Sequence, residues 1–188
     1  MSRLAAIVLA GGRSRRFGTD KLAVDVHGVP LLRHSVDAAL ALGAQVVVVG
    51  PADPRLPAGV TVVREYPPYA GPYAAVAAGL AAVDADADVV LVLAGDLVDP
   101  GVLLPSLLAT VAAGAEAAVA RDASGRRQPL LAAYRVRPLL AGVAGVDPVN
   151  RAAGELLDGL HVVEVADPGT HTRDIDTPAD LAAENGPG

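Results

Sequence analysis

Cysteine and tryptophan are absent from this 188-residue chain, and phenylalanine and methionine occur once each. The missing thiols exclude disulfides and cysteine-ligated zinc, and they suit a reducing compartment. With aromatics at 3% of residues, the core has to be built from Ala, Val and Leu. The same scarcity argues against a single-stranded nucleic-acid platform, which needs stacking rings. Positive charge is also in short supply. The net charge of −6 argues against a general polyanion-binding surface. Lysine is almost missing: Lys21 stands alone against fourteen arginines. No apolar run reaches the ~18 residues of a membrane span. The N-terminal MSRLAAIVLAGG and the pair of arginines in SRRF (14–17) look superficially like export signals. Neither is followed by the cleavage site or apolar segment such a signal requires, so a cytoplasmic location is expected.

What is present reads as alternating strands and helices. LAAIVLA (4–10), QVVVVG (45–50), VTVVRE (60–65) and DVVLVLAGD (88–96) are short apolar runs of the kind that make buried parallel strands. AEAAVA (115–120), RQPLLAAY (127–134) and HVVEVA (161–166) are further candidate strands. Helices are expected over 30–42, 71–83, 100–113 and 177–184, the last with Thr177 as its cap and Pro178 at its first position. This alternation predicts an open α/β sheet with helices on both faces. One domain over residues 1–184 is expected, with 185–188 as a disordered tail. In such sheets ligands sit beyond the carboxyl ends of the strands. Gly11-Gly12, Glu65 and Asp96 fall there.

The stretch LAGGRSRRFGTDKL (9–22) follows the first strand and combines glycines with four cations. Glycines let backbone N–H groups approach an anion, and the cations neutralise it, so the stretch reads as a phosphate cradle. The spacing is neither GxxxxGK[ST] nor GxGxxG. The simpler reading is a solvated basic turn. A lysine retained in an arginine-rich chain suits a narrow site that takes a compact ammonium but not a guanidinium. Asp96, at the end of an apolar strand, reads as a hard Mg²⁺ ligand or as a cap for the next helix. Asp174 and Asp176 in DIDTP lie one residue apart and would face the same side of an extended segment, or belong to the turn that caps the last helix. His27, His34, His161 and His171 fit no metal-ligand spacing.

Taken together these residues carry a resemblance. LAGGRSRRFGTDKL, VVVVGP, REYPPYAGPYAAVAAGL, the strand ending in Asp96, QPLLAAY and DIDTPADL occur in the order found in MobA-like nucleotidyltransferases, molybdenum cofactor guanylyltransferases in particular. The resemblance implies a three-layer αβα, mostly parallel, Rossmann-like fold of the nucleotide-diphospho-sugar transferase type. It implies transfer of GMP from GTP to molybdopterin or molybdenum cofactor, with Mg²⁺ as cofactor and pyrophosphate as product. Leu9, Ala10, Gly11, Gly12, Arg13, Ser14, Lys21, Glu65, Gly71 and Asp96 would contact the nucleotide. Lys21, Arg16 and Asp96 would be catalytic, Asp96 and Asp176 would hold the metal, and Gln128 and Asp174 would face the acceptor. No nucleic acid or membrane is implied, and proteins that handle molybdopterin are the transient partners it suggests. The chain departs from the family pattern in DLVD after Asp96, in Glu65 for an aspartate, and in the Asp174/Asp176 pair for asparagines. A cytidylyl counterpart, a phospholactate guanylyltransferase and a non-catalytic nucleotide-binding relative are the alternative readings.

Overall fold

The strands are Leu4–Leu9 (β1), Asp25–Val26 (β2), Val29–Pro30 (β3), Gln45–Val49 (β4), Thr61–Val63 (β5), Val89–Ala94 (β6), Ala117–Arg121 (β7), Arg127–Arg135 (β8) and Val162–Ala166 (β9). The helices are Leu31–Ala41 (α1), Pro72–Leu80 (α2), Leu104–Ala112 (α3), Val136–Val143 (α4) and Pro178–Asn185 (α5). They come from a computed structural model that describes residues 3–11, 21–169, 171, 172, 175 and 177–185. Among the described residues seven strands form one sheet in the order β5-β4-β1-β6-β8-β7-β9, and β2 pairs with β3 in a separate hairpin. All neighbours in the large sheet are parallel except β8, which runs antiparallel to both β6 and β7. The fold is therefore α/β, mostly parallel and Rossmann-like, as the alternation predicts.

The expected apolar runs form the centre of the sheet because they can be buried on both faces. Along β1, Ala6 and Val8 point into one core layer and Ala5 and Ile7 into the other. Along β6, Leu91 and Leu93 share the first layer, Val90 and Val92 the second. α1 and α3 close the first layer with Leu32, Val36, Leu104 and Leu107; α2 and α4 close the second with Tyr73, Val76 and Leu139. Each large aliphatic side chain fully withdrawn from water contributes about 1.5–3 kcal/mol. A third, smaller core joins Val26, Leu31 and Ile175, with Val98 and Leu181 packed against it.

Several boundaries differ from expectation for local reasons. The helix expected over 100–113 is a 3-10 turn at Pro100–Val102 followed by α3, with Pro105 inside the first turn of α3, where its missing N–H is tolerated. β5 is shorter than predicted: it pairs with β4 only over Thr61–Val63, so Glu65 lies past the ladder. α5 starts as read. Thr177 Oγ1 accepts the Asp180 N–H at 3.2 Å, and Asp180 Oδ2 accepts the Thr177 N–H at 2.8 Å, a reciprocal cap. Asn185 closes α5, and its Oδ1 accepts the His27 N–H at 2.9 Å, so it is helical where a tail was expected; residues 186–188 lie outside the described residues. The β2–β3 hairpin and α4 had no expectation.

Where β7 meets β8 the register jumps: Val119 faces Ala132, but Ala120 faces Gln128. Pro129, which cannot donate to a ladder, lies in that interruption, and its carbonyl accepts the hydroxyl of buried Tyr134 at 2.9 Å. The turn between the strands is built on Asp122. Its carboxylate accepts the Ser124 hydroxyl, the Arg126 and Ser124 N–H groups and the Gln128 amide, which hold its pKa down at about 2.

Two outcomes test this account. A Cβ at Gly50 would lie 2.8 Å from the Ala10 carbonyl carbon, a backbone atom that cannot yield, whereas one at Gly142 meets nothing within 4 Å. Gly50→Ala should therefore lower stability by about 1–3 kcal/mol, and Gly142→Ala should leave it unchanged or raise it by about 0.4–1 kcal/mol, both read from urea midpoints. Asp122 should titrate near pH 2 in carboxyl ¹³C NMR. Because its folded pKa is depressed, its stabilising effect is present above the ordinary value of 3.8 and is lost as pH falls through about 2. A midpoint near 3.8 would mean the turn is not closed as described.

Candidate nucleotide site

Parallel strands bring their carboxyl ends to one edge, and the chain leaves β1, β4, β5 and β6 there. The departing loops are laced together by backbone bonds: Ala10 N–H to Val49 O at 2.8 Å, Gly50 N–H to Val63 O at 2.9 Å, and Gly95 N–H to Leu9 O at 2.9 Å. Gly95 has no alternative residue type at this approach, since a Cβ there would lie 2.7 Å from the Leu9 carbonyl oxygen. The edge is thus a rigid floor of backbone on which a few side chains stand.

Lys21 and Asp96 meet on that floor. Lys21 Nζ donates to Asp96 Oδ2 at 2.7 Å, and both side chains are largely buried, at 16% and 20% exposure. Lys21 opens a short 3-10 turn, Lys21–Ala23, that leads into the β2–β3 hairpin; Asp96 stands two residues past β6. The sequence reading required these two groups to share one cavity, and they are in direct contact. Removing either charge would take a close partner from the other in a partly dehydrated setting.

Glu65 is the second charged group turned inward. It is 5% exposed. Its Oε1 accepts the Tyr69 N–H at 2.8 Å, and its Oε2 has no hydrogen-bond partner among the described residues. A Cβ built on Gly11 would lie 3.6 Å from Oε1 and 3.8 Å from Oε2, which places the carboxylate beside the exit of β1. A buried carboxylate oxygen without a donor costs free energy unless water or a ligand supplies one. Around it lie Arg64, whose guanidinium stacks over the Tyr69 ring at 5.2 Å, and Tyr66, which is 91% exposed.

The other expected residues fall as follows. Leu9 ends β1; Ala10 is buried and Gly11 exposed just beyond it. Gly71 is the residue before α2, against Asn150 and Arg151. Gln128 lies on β8 beyond the last pair that β8 makes with β6, Leu93 with Leu131, so it extends past the carboxyl edge. Its amide donates to Asp122 Oδ2 at 2.8 Å. Gly12, Arg13, Ser14, Arg16, Asp174 and Asp176 lie outside the described residues. Ile175, between the last two in sequence, is described: it is fully buried, and its N–H reaches the Asp96 carbonyl oxygen at 3.2 Å.

Sequence reasoning did not find Ser35, a fully buried hydroxyl on α1 that donates to the Ala94 carbonyl oxygen at 2.7 Å. The signal was a lone Ser on the apolar face of a helix. Three of the histidines make local contacts: His34 to the Val26 carbonyl, His27 to Glu184 and His171 to Asp99. Among the described residues no cluster of three or more His, Cys, Asp or Glu side chains could hold a metal ion. Asp96 offers one carboxylate, its Oδ2 facing Lys21, and a hard divalent ion needs only one or two protein carboxylates when water and phosphate oxygens complete its coordination. No helix of the described residues is long and apolar enough to cross a membrane.

Residues 6–160 match the family model for the MobA-like NTP transferase domain. The chain is 30% identical over 172 residues to a Bacillus cereus protein named "probable molybdenum cofactor guanylyltransferase", covering 88% of this chain and 85% of that one. It is 37% identical over 143 residues to a protein of the same name from Chloroflexus aggregans, covering 70% and 65%. Among solved structures it is similar to Rv0371c from Mycobacterium tuberculosis (TM-score 0.75, 24% identity, 95% of each chain), a protein also crystallised in complex with manganese. It is similar as well to molybdopterin-guanine dinucleotide biosynthesis protein A from Archaeoglobus fulgidus (TM-score 0.67, 24% identity, 94% of each chain). A third likeness is to the 4-diphosphocytidyl-2C-methyl-D-erythritol synthase of Anaerococcus prevotii (TM-score 0.69, 15% identity, 98% of this chain and 97% of that one). With a matching family model over most of its length, and with a lysine and an aspartate paired at the carboxyl edge, this chain belongs to the MobA-like NTP transferase family.

Proposed function

We propose that this protein transfers GMP from GTP to molybdopterin or its molybdenum form, releasing pyrophosphate, and that residues 1–184 act as one catalytic domain. The observation that carries the reading is the 2.7 Å pairing of Lys21 with Asp96 at the carboxyl edge, beside a buried Glu65 oxygen that lacks a donor among the described residues. The names of the relatives support the base and the acceptor.

In this reading the acceptor's terminal phosphate oxygen attacks the α-phosphorus of GTP. A new P–O bond forms as the α–β bond breaks, and pyrophosphate carries away the electron pair. A phosphate oxygen is already ionised at neutral pH, so the step needs no general base; none of the four histidines is asked to supply one. The chain's work is alignment and charge compensation. Leu9 to Gly12 contact the nucleotide through their backbone, with Arg13 and Ser14 following them in sequence. Glu65 offers its orphan oxygen to a nucleoside donor, and Gly71 contacts the nucleotide as well. Lys21, with Arg16 and Arg13 from the basic loop, neutralises the charge that develops on the departing pyrophosphate. Gln128 and Asp174 face the acceptor. Asp96, with Asp176, would hold Mg²⁺, which would supply compensation for the charge of the phosphates. Such substrates suit a cytoplasmic protein in transient contact with proteins that handle molybdopterin.

The test is pyrophosphate release from each of the four NTPs, with purified molybdopterin and, separately, phospholactate as acceptor. GTP with molybdopterin should be the productive pair. Turnover with CTP instead would assign the cytidylyl reaction, turnover with phospholactate the other acceptor, and GTP binding without any release a non-catalytic role. Asp96→Ala should cut divalent-dependent release by about 10²–10³-fold or more while circular dichroism stays native. Lys21→Arg should lose most activity although the charge is kept, because a planar guanidinium does not fit where a compact ammonium contacts Asp96. Near-normal rates for Lys21→Arg would defeat that explanation.

A further inference from the structure

The turn that carries Asp96 is held at three successive residues by three different parts of the chain. The Ala94 carbonyl accepts from the Ser35 hydroxyl of α1 at 2.7 Å. The Gly95 N–H donates to Leu9 O at the end of β1 at 2.9 Å. The Asp96 carbonyl accepts from the Ile175 N–H at 3.2 Å. The last of these comes from a segment beyond residue 160, where the family model ends.

Ile175 does more than donate one bond. Its side chain is fully buried in the small core formed with Val26 and Leu31, against which Val98 and Leu181 pack. Each of these belongs to something that matters for the site. Val26 lies in β2, directly after the Lys21–Ala23 turn, and Leu31 is tied to that connection by its N–H to Val24 O at 2.9 Å. Val98 is two residues past Asp96. Leu181 is in α5, which is fastened to the same hairpin by Asn185 Nδ2 to Asp25 O at 3.2 Å and Asn185 Oδ1 from the His27 N–H at 2.9 Å. The carriers of Lys21 and of Asp96 are 75 residues apart in sequence, and one buried side chain touches the cores of both.

We infer that Ile175 is a positioning residue for the Lys21–Asp96 pair: by filling the Val26–Leu31 core while bonding the Asp96 carbonyl, it sets the separation of the two charges and makes the C-terminal segment part of the site. This rests on the reading of that pair as the reacting centre's charges. The physical reason is that the carrier of Lys21 is not rigid alone. β2 and β3 are two residues each, too short to hold a fixed orientation unaided, whereas the turn after β6 is already tied to Ser35 and Leu9. An apolar contact common to both removes their relative freedom, and misplacing a charge by about 1 Å can cost about 10²-fold in rate.

The chain supplies its own probe, since Lys21 is its only lysine. Full-length protein grown on ¹³Cε,¹⁵Nζ-lysine should give one side-chain resonance, reporting on the contact with Asp96 whether or not any activity has been established. Asp96→Asn should move it, because the charge that the ammonium contacts is removed. Ile175→Ala should move it in the same direction by most of that amount, and Ile175→Val by little. Leu139→Ala, a truncation in the distant α4 layer, should leave it in place despite its own loss of stability. In turnover with GTP, Ile175→Ala should lower kcat by about 10- to 100-fold, with KM for GTP changed by less, and Leu139→Ala should leave kcat as it is while folded. An unmoved lysine signal in folded Ile175→Ala, or equal kcat losses in Ile175→Ala and Leu139→Ala, would overturn the inference. Should Ile175→Ala fail to fold, Ile175→Thr, similar in shape but less apolar, replaces it with the same expectations. A protein that transfers no nucleotide yet shows the expected lysine shifts would overturn the functional reading and leave the positioning role standing.

Discussion

The Lys21–Asp96 ion pair anchors the described part of the sheet's carboxyl edge. Lys21 and Asp96 arrive on connections that follow two different strands, β1 and β6, and they touch at 2.7 Å in a setting where each is mostly withheld from water. Two opposite charges in such a place favour contact, so the neighbouring elements have to deliver them to the same point. That requirement explains features that would otherwise look unrelated: close backbone approaches at Gly50 and Gly95, a buried hydroxyl on α1, and a satellite core around Ile175 that adds little to the bulk of the hydrophobic interior.

The sheet makes this delivery possible. Four consecutive parallel neighbours, β5, β4, β1 and β6, end at one edge, so loops separated widely in sequence start close to each other in space. β8 runs the other way, which brings its first residues, Gln128 among them, to that same edge. In the proposed reading, groups destined for the nucleotide thus come from strand ends, and the group destined for the acceptor from a strand beginning. Glu65 illustrates the logic on a smaller scale. β5 pairs over only three residues, so Glu65 is released from the ladder and can turn inward beside Gly11.

Membership of the MobA-like NTP transferase family and the α/β architecture agree with this picture, one as a property of the residues and the other of the backbone. The family model ends at residue 160, yet the chain beyond it contacts the Asp96 turn and the Lys21 hairpin. The part of the chain that has to be ordered for the charges to meet is therefore longer than the part most easily matched.

Much of this was legible beforehand. Apolar runs such as LAAIVL and VVLVLA can only be strands buried on both faces, and Thr177-Pro178 with Asp180 can only open a helix, because local sterics and hydrogen bonding leave no better choice. The lone lysine and the strand-end aspartate stood out for their chemistry alone. Hidden were elements whose identity is not local. The two-residue strands β2 and β3 carry too few residues for a period, α4 contains both Pro138 and Gly142, and Ser35 looked like any polar residue in a helix. Residue chemistry and periodicity determined the α/β class, the parallel core and the two charges of the site. Only the tertiary structure decided that Glu65 turns inward beside Gly11 and that Ile175 ties the two carriers together, because both depend on contacts between segments whose separation along the chain carries no information about their distance in space.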